Sequence, residues 1–403
     1  MSRLAGLLWL EVSHRVIAAP SLSALGNARF GFAIVLRSFH RFSGMISVNA
    51  NEATPMTLAD FGWTQFYKTA EVDPAFDGTI PVRVMAVHRD ALDVAGPDFS
   101  GRIPQSQQQT DEEGRPTIGD WVAINRQTKR IGALYPRKSL FKRRNAGKTN
   151  RLQLIAANVD TVFIVTSANM DFNVARLERY LALAHEAGVL PVVIITKADL
   201  VEDLTPFLDA ARTIRHDLLI EAIDSRNPKD MVRLAPWLAK GQTVALMGSS
   251  GVGKSTIINC LLESAVQETQ GIREGDARGR HTTSGRSLHR MQTGGWLIDT
   301  PGMREIQVVD VAGGIETVFD DITVLAMDCR FSNCQHTSEP GCAVQAAIKS
   351  GALEPDRLDR FQKLQREERH NTEMLYEAHA RAREFGKMGK RAQADKVKRT
   401  TDW

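Results

Sequence analysis

The sequence predicts a multidomain α/β protein, and three observations predict it. Between Thr79 and Asn125, short β-rich runs are punctuated by Gly, Pro and Asp. From Asn158 onward, apolar runs of strand length alternate with segments of helical period, the pattern of a mostly parallel sheet covered on both faces. Farther on, three of the four cysteines fall in one short stretch beside a histidine. The expected order is an N-terminal β-barrel of the OB type, a central α/β domain and a C-terminal α-helical metal-binding domain.

A chain of 403 residues has room for two or three domains, and 43% apolar residues supply ordinary cores. The net charge of +4 is mild. Its distribution says more, because basic residues concentrate near 137–151 and 381–399. That pattern suits a polyanionic partner; the alternative is a solvated basic face. Four cysteines exclude a disulfide scaffold. No apolar run approaches the roughly twenty residues of a membrane span, so no membrane role is expected.

Taken in order, residues 1–55 set Arg3, Arg15, Arg29, Arg37 and Arg41 against the lone acid Glu11 before Glu52. Such a leader resembles an organellar transit segment; a later start at Met45 or Met56, or a basic arm, are the other readings. The runs "TIPVRVMAV", "ALDVAG" and "DWVAIN" read as barrel strands, followed by the basic "PRKSLFKRRNAGKTNR". There Arg137, Lys138, Lys142, Arg143, Arg144, Lys148 and Arg151 surround Phe141, an arrangement that suits RNA on a small barrel. "VDTVFIVTSA", "LPVVIIT", "QTVALM" and "GGWLID" read as buried strands, and "NVARLERYLALAHEAG" as a helix ending at Gly188. The tail from Pro355 is charged and of helical character.

Four motifs carry chemistry. "GSSGVGKST", Gly248, Ser249, Ser250, Gly251, Val252, Gly253, Lys254, Ser255 and Thr256, follows a strand and opens a helix. Its glycines let backbone N–H groups cradle phosphates; Lys254 is suited to the β- and γ-phosphates and the Ser255 hydroxyl to Mg²⁺. "DTPG" ends the strand "GWLI", placing Asp299 to hold Mg²⁺ through water and Gly302 to offer its N–H to a γ-phosphate. Between them the Gly- and Arg-rich 271–286 segment contains Thr282 and Thr283, either of which could close over the metal. "TKAD", Thr196, Lys197, Ala198 and Asp199, ends another buried strand. An acid there can accept from both N1–H and the 2-amino group of guanine, so GTP and GDP are favoured over adenine nucleotides. Finally, Cys329-x4-Cys334-x-His336-x5-Cys342 suits one tetrahedral Zn²⁺ with no open position, hence a structural site. Cys260 is expected to pack in the core. In an ordinary GTPase the phosphate loop precedes the base-reading element; here TKAD comes first.

The order TKAD, GSSGVGKS, HTT, DTPG and Cys₃His, with "GDWV", "PRKSLFKR", "AANVDTVFIVTSAN" and "DFNVARLERYL", resembles the circularly permuted, small-subunit-dependent GTPases of the RsgA (YjeQ) family. The likeness runs from about Met56 into the tail. It implies an OB-fold β-barrel, a central circularly permuted P-loop GTPase with a mostly parallel sheet, and a C-terminal α-helical zinc-binding domain. The expected boundaries are a leader at 1–55, an RNA-binding barrel at 56–150, the GTPase at 151–306, and the zinc domain with its basic tail at 307–403. The resemblance also implies GTP hydrolysis stimulated by the 30S subunit and its 16S rRNA during late maturation, by a monomer in the bacterial cytoplasm, or in an organelle if the leader is a transit segment.

Several positions depart from the usual pattern or lack a settled role. Thr196 stands where Asn is common. "AIDSRN" stands where Ser-Ala usually meets guanine O6, which points to Asp224 and Ser225. Met303 follows DTPG where Ras-like enzymes carry a water-orienting Gln, and His281 matches a histidine proposed for that task in the family. Two other readings stay open: a GTP-dependent RNA-binding protein with another target such as the large subunit, and one that uses nucleotide without turnover.

Overall fold

The computed structural model describes residues 55–69, 78–105, 114–144, 152–266, 287–299 and 310–372. A 3-10 turn (Leu58–Phe61) and a single-turn helix α1 (Gln65–Lys68) lead into β1 (Thr79–Val87), β2 (Ala91–Ala95), β3 (Ser100–Pro104), β4 (Trp121–Asn125) and β5 (Ile131–Leu134). A hairpin of β6 (Leu140–Arg144) and β7 (Leu152–Ala157) follows. Next come β8 (Thr161–Ser167), α2 (Val174–Glu186), β9 (Leu190–Thr196), α3 (Thr205–Arg212), β10 (Leu219–Ala222), α4 (Pro228–Met231), β11 (Thr243–Met247), α5 (Lys254–Val266), β12 (Ser287–Arg290) and β13 (Trp296–Asp299). Helices α6 (Ala312–Val318), α7 (Asp320–Met327) and α8 (Ala343–Ser350) complete the named elements, with α9 over residues 355–372.

Strands β10, β9, β8, β11 and β13 pair in parallel, in that order. All seven residues of β8 are buried, as a strand covered on both faces must be. The period-2 pleat sends alternate residues to opposite layers. Val162, Ile164, Val193, Ile195, Ala245, Met247 and Ile298 enter one core, while Phe163, Val165, Val192, Ile194, Val244, Leu246 and Leu297 enter another. Fully burying one such side chain stabilises the fold by about 1.5–3 kcal/mol.

Antiparallel β12 extends this sheet, and a single register pair, Ala86↔Ser287, joins it to β1. The N-terminal strands run β5-β4-β1-β2-β3, antiparallel throughout, around their own core of Val82, Val84, Leu92, Val94, Ile103, Val122 and Ile124. No β3–β5 pairing closes this sheet among the described residues.

Buried Arg83 is the junction between the two regions. Its guanidinium donates to Phe61 O (2.6 Å), Thr243 Oγ1 (2.8 Å), Asn158 O (3.4 Å) and Gly119 O (3.4 Å). Burial pushes its pKa down to about 10, still well above neutrality, so the charge persists. Lys138 and the Thr243 N–H both donate to Asp160 beside it, each at 2.8 Å. The start of β11, which carries the phosphate loop, is thus tied to the N-terminal strands.

The C-terminal helices pack on α2. Gly314 of α6 approaches so closely that a Cβ there would sit 2.0 Å from Ala182 O. Arg357 of α9 donates to Glu178 (2.8 Å), to both Asp321 oxygens, and to Ile214 O and Val318 O. Arg360 shares Glu178, and Arg179 pairs with Glu367.

Arg83→Met should destabilise the protein by about 3 kcal/mol, because it leaves several buried acceptors without donors. A urea midpoint indistinguishable from the parent protein would show that the junction is not carried by these bonds.

Candidate nucleotide and zinc sites

The phosphate-loop motif spans β11 and α5 as its sequence requires. Gly248 has φ 142°, and a Cβ on it would lie 2.2 Å from Val165 O, so only glycine fits between the loop and β8. Gly251 and Gly253 also hold positive φ, 79° and 99°. Lys254 is buried, and its ammonium donates to Gly248 O at 2.7 Å and also to Ser249 O. The charge is thereby held inside the curl of the loop. Ser255 and Thr256 stand in the first turn of α5, whose N-terminus favours anions.

TKAD reaches the same place by a different route. β9 and β11 flank β8 in parallel, so their carboxyl ends share one edge of the sheet. The Thr196 hydroxyl lies 2.6 Å from Val252 O in the phosphate loop and 3.0 Å from Thr166 O at the end of β8. With one proton to give, it favours the shorter partner, and so bonds the base-reading segment to the phosphate loop. Lys197 takes the left-handed conformation (φ 59°), which turns the chain from β9 toward Ala198 and Asp199. The Ala198 N–H meets Ile223 O at 3.4 Å. This brings the segment beyond β10, Asp224 and Ser225, beside TKAD.

Asp299 ends β13, directly adjacent to β11, and is half-buried. A carboxylate there and the Ser255 hydroxyl are hard oxygen donors, the kind Mg²⁺ takes. His281, Thr282, Thr283 and Gly302 lie outside the described residues.

The Cys/His spacing closes on itself. Sγ of Cys329 and Cys342 lie 3.8 Å apart, and His336 Nδ1 lies 3.6 Å and 3.5 Å from them. With Cys334, all four ligand atoms fall within 4.8 Å of one another. A tetrahedron with Zn–S about 2.3 Å and Zn–N about 2.0–2.1 Å has edges of about 3.8 and 3.5 Å, so the residues present fit zinc. Cys342 caps α8 and accepts from Gln345 N–H.

Sequence reasoning missed Glu339, which organises this loop. Its carboxylate accepts from the Gln335, Thr337 and Ser338 N–H groups at 2.8, 2.8 and 3.1 Å. These donors, Gln335 first, hold its pKa down to about 2. An acid midway between two ligands was the available signal. Arg176 was missed as well: its guanidinium donates to Ser249 Oγ at 2.7 Å from the first turn of α2.

The basic segment requires correction. Arg137 makes a paired contact with buried Asp120, both bonds at 2.8 Å, and Lys138 holds Asp160. Phe141 is buried in the core, so it offers no face to a base. Residues "LFKRR" form β6, and its pleat turns Phe141 inward. Arg143 donates to Gln153 across the hairpin. Lys148 and Arg151 lie outside the described residues. Cys260 is half-buried against a core, as expected.

Thr196→Val should weaken GDP and GTP alike by about tenfold, since one buried hydrogen bond is lost in both complexes, whereas Thr196→Asn should retain most of the affinity. Nucleotide titration checks both. Glu339→Ala should lower zinc affinity by about 10–100-fold in a chelator competition, and native mass spectrometry should find one zinc per chain in the parent protein.

Comparison with known proteins agrees with this geometry. The RsgA GTPase family pattern matches residues 134–309. A Mesorhizobium japonicum protein named small ribosomal subunit biogenesis GTPase RsgA is 48% identical over 328 residues, covering 81% of this chain and 94% of its own length. A Vibrio parahaemolyticus protein named small ribosomal subunit biogenesis GTPase RsgA 2 is 45% identical over 347 residues, covering 86% and 96%. Among solved structures, YjeQ from Thermotoga maritima superposes with a TM-score of 0.51 at 24% identity, covering 74% of this chain and 98% of that one. YloQ, described as a circularly permuted GTPase, gives 0.50 at 21% identity, covering 77% and 98%. The chain belongs to the RsgA GTPase family and is a GTP-hydrolysing enzyme with a circularly permuted core.

Proposed function

We propose that this GTPase binds the small (30S) ribosomal subunit through its 16S rRNA, as a monomer in the bacterial cytoplasm, and hydrolyses GTP during late subunit maturation, with the subunit stimulating hydrolysis. The observation that carries the nucleotide half is the Thr196–Val252 bond, which unites TKAD and the phosphate loop at one sheet edge. The names of the relatives support the ribosomal half. Among the described residues, no helix is long and apolar enough to cross a membrane.

In this reading Asp199 accepts from the guanine edge and the Lys197 stem packs along the base. The loop Gly248–Thr256 surrounds the phosphates, and Lys254 moves its ammonium from the loop carbonyls to the β- and γ-phosphate oxygens. Ser255 and Asp299 would hold Mg²⁺, which neutralises phosphate charge. Thr282 or Thr283 and Gly302 close over the γ-phosphate, and His281 helps orient the attacking water. Without a Gln after DTPG, this arrangement turns over slowly alone, and rRNA contacts complete it. The Cys₃His zinc shapes the unit formed by α7, α8 and α9. The barrel at 56–150 meets RNA through side chains other than Arg137, Lys138 and Phe141, which are committed to the fold.

Sedimentation with purified 30S and 50S subunits tests the assignment. The protein should pellet with 30S in a non-hydrolysable GTP analogue and leave it in GDP. Subunits should accelerate hydrolysis, and Lys254→Ala should reduce single-turnover hydrolysis about 100-fold or more. Specific pelleting with 50S, or equal hydrolysis with and without 30S, contradicts the proposal.

A further inference from the structure

The guanine-reading acid is engaged by another residue of this chain. Arg226 Nη2 lies 2.7 Å from Asp199 Oδ2. Arg226 is aimed by its own turn: Asp224 Oδ1 accepts its backbone N–H at 3.0 Å and lies 3.3 Å from its Nε. That turn is anchored in turn, since Asp224 N–H donates to Asp230 Oδ2 of α4 at 2.8 Å.

We propose that Arg226 is a built-in competitor for the guanine base, occupying the Asp199 carboxylate that the base must engage and thereby setting nucleotide affinity and exchange. The inference rests on the reading of Asp199 as the guanine acceptor. Its chemical basis is mimicry. The N1–C2–N2 unit of guanine is itself a guanidine, so the base and the arginine present the same kind of donor edge to one acceptor. Guanine meets the carboxylate with both oxygens, so its donors and the Arg226 guanidinium compete for the charge and the outward lone pairs of Oδ2.

Exposure decides the strength of this competition. The Arg226 side chain is 66% exposed and that of Asp199 28%, so the pair is a weak surface ion pair that yields to the base. Apparent affinity falls in proportion to the fraction of time the pair is formed. When nucleotide leaves, Arg226 returns to Asp199, so the acid keeps a partner during exchange.

The test measures GDP and xanthosine diphosphate (XDP) binding, with association rates, in the full-length protein, Arg226→Ala, Asp199→Asn and the double variant. Arg226→Ala should tighten GDP about two- to fivefold, chiefly through faster association. Asp199→Asn should shift preference from GDP to XDP, because xanthine presents an acceptor where guanine presents an amine. In that background Arg226→Ala should leave XDP affinity unchanged, because the pair is already gone. If Asp199→Asn switches the base but Arg226→Ala weakens GDP or leaves it unchanged, the competitor is refuted and the base-reading role stands. An equal gain in both backgrounds also refutes it. If Asp199→Asn leaves base preference unaltered, the reading of Asp199 itself fails.

Discussion

The bond from the Thr196 hydroxyl to Val252 O is the constraint on which the nucleotide site depends. The proposed base-reading and phosphate-binding segments are separated by about fifty residues of chain, and both could hold one nucleotide only if their spacing stays constant to a fraction of an ångström. Parallel pairing of β9, β8 and β11 sets that spacing coarsely. The hydroxyl sets it finely, and its second neighbour, Thr166 O, lies on the strand between. Gly248 then allows the loop to lie against Val165 without a side chain between them. The permuted order costs this arrangement nothing, because a parallel sheet fixes which strand ends are neighbours, whereas loops alone determine the order in which the chain visits them.

The same sheet carries the flanking units. Arg83 satisfies carbonyls from the 3-10 turn, the Gly119 turn and the Asn158 turn, together with the first side chain of β11, so the N-terminal strands and the phosphate-loop strand share one buried charge. On the other side, α2 connects two regions. Its first turn reaches Ser249 through Arg176, and its body holds α9 through Glu178 and Arg179. Glu178 is nearly inaccessible and shared by two arginines, so removing either one would leave buried charge poorly compensated. The zinc loop is attached in turn, with Gln362 of α9 donating to Gln335 O beside Cys334. A continuous set of packed and hydrogen-bonded contacts therefore runs from the phosphate loop to the zinc unit through α2 and α9.

Much of this was legible beforehand, and the reason differs by element. The strands "TVFIVTS" and "LPVVIIT" announce themselves because complete burial demands uninterrupted apolar character. The helix over 174–186 announces itself by period, with Asn173 as cap. The phosphate-loop motif and the Cys₃His cluster were legible because each is defined by close spacing within one segment. Strand β3 was not, since "SGRIP" is largely exposed and carries little apolar alternation. The hairpin β6–β7 was hidden because the basic residues in and just before β6 resemble a nucleic-acid patch, while Asp120 and Asp160, the acidic partners of Arg137 and Lys138, stand well away in the chain.

By itself, then, the sequence determined the inventory: a candidate guanine acceptor in Asp199, a phosphate-loop motif, a Cys₃His cluster and the layers that carry them. These depend on local pattern, and local pattern survives in a linear string. Only the tertiary structure decided which charges are free to act. Arg137 and Lys138 proved to be structural, Glu339 a clamp on the zinc loop, and Arg226 a partner of Asp199. Such pairings join residues brought together by strand order and turns, and a charge's role is set by the partner that folding places within about 3 Å of it.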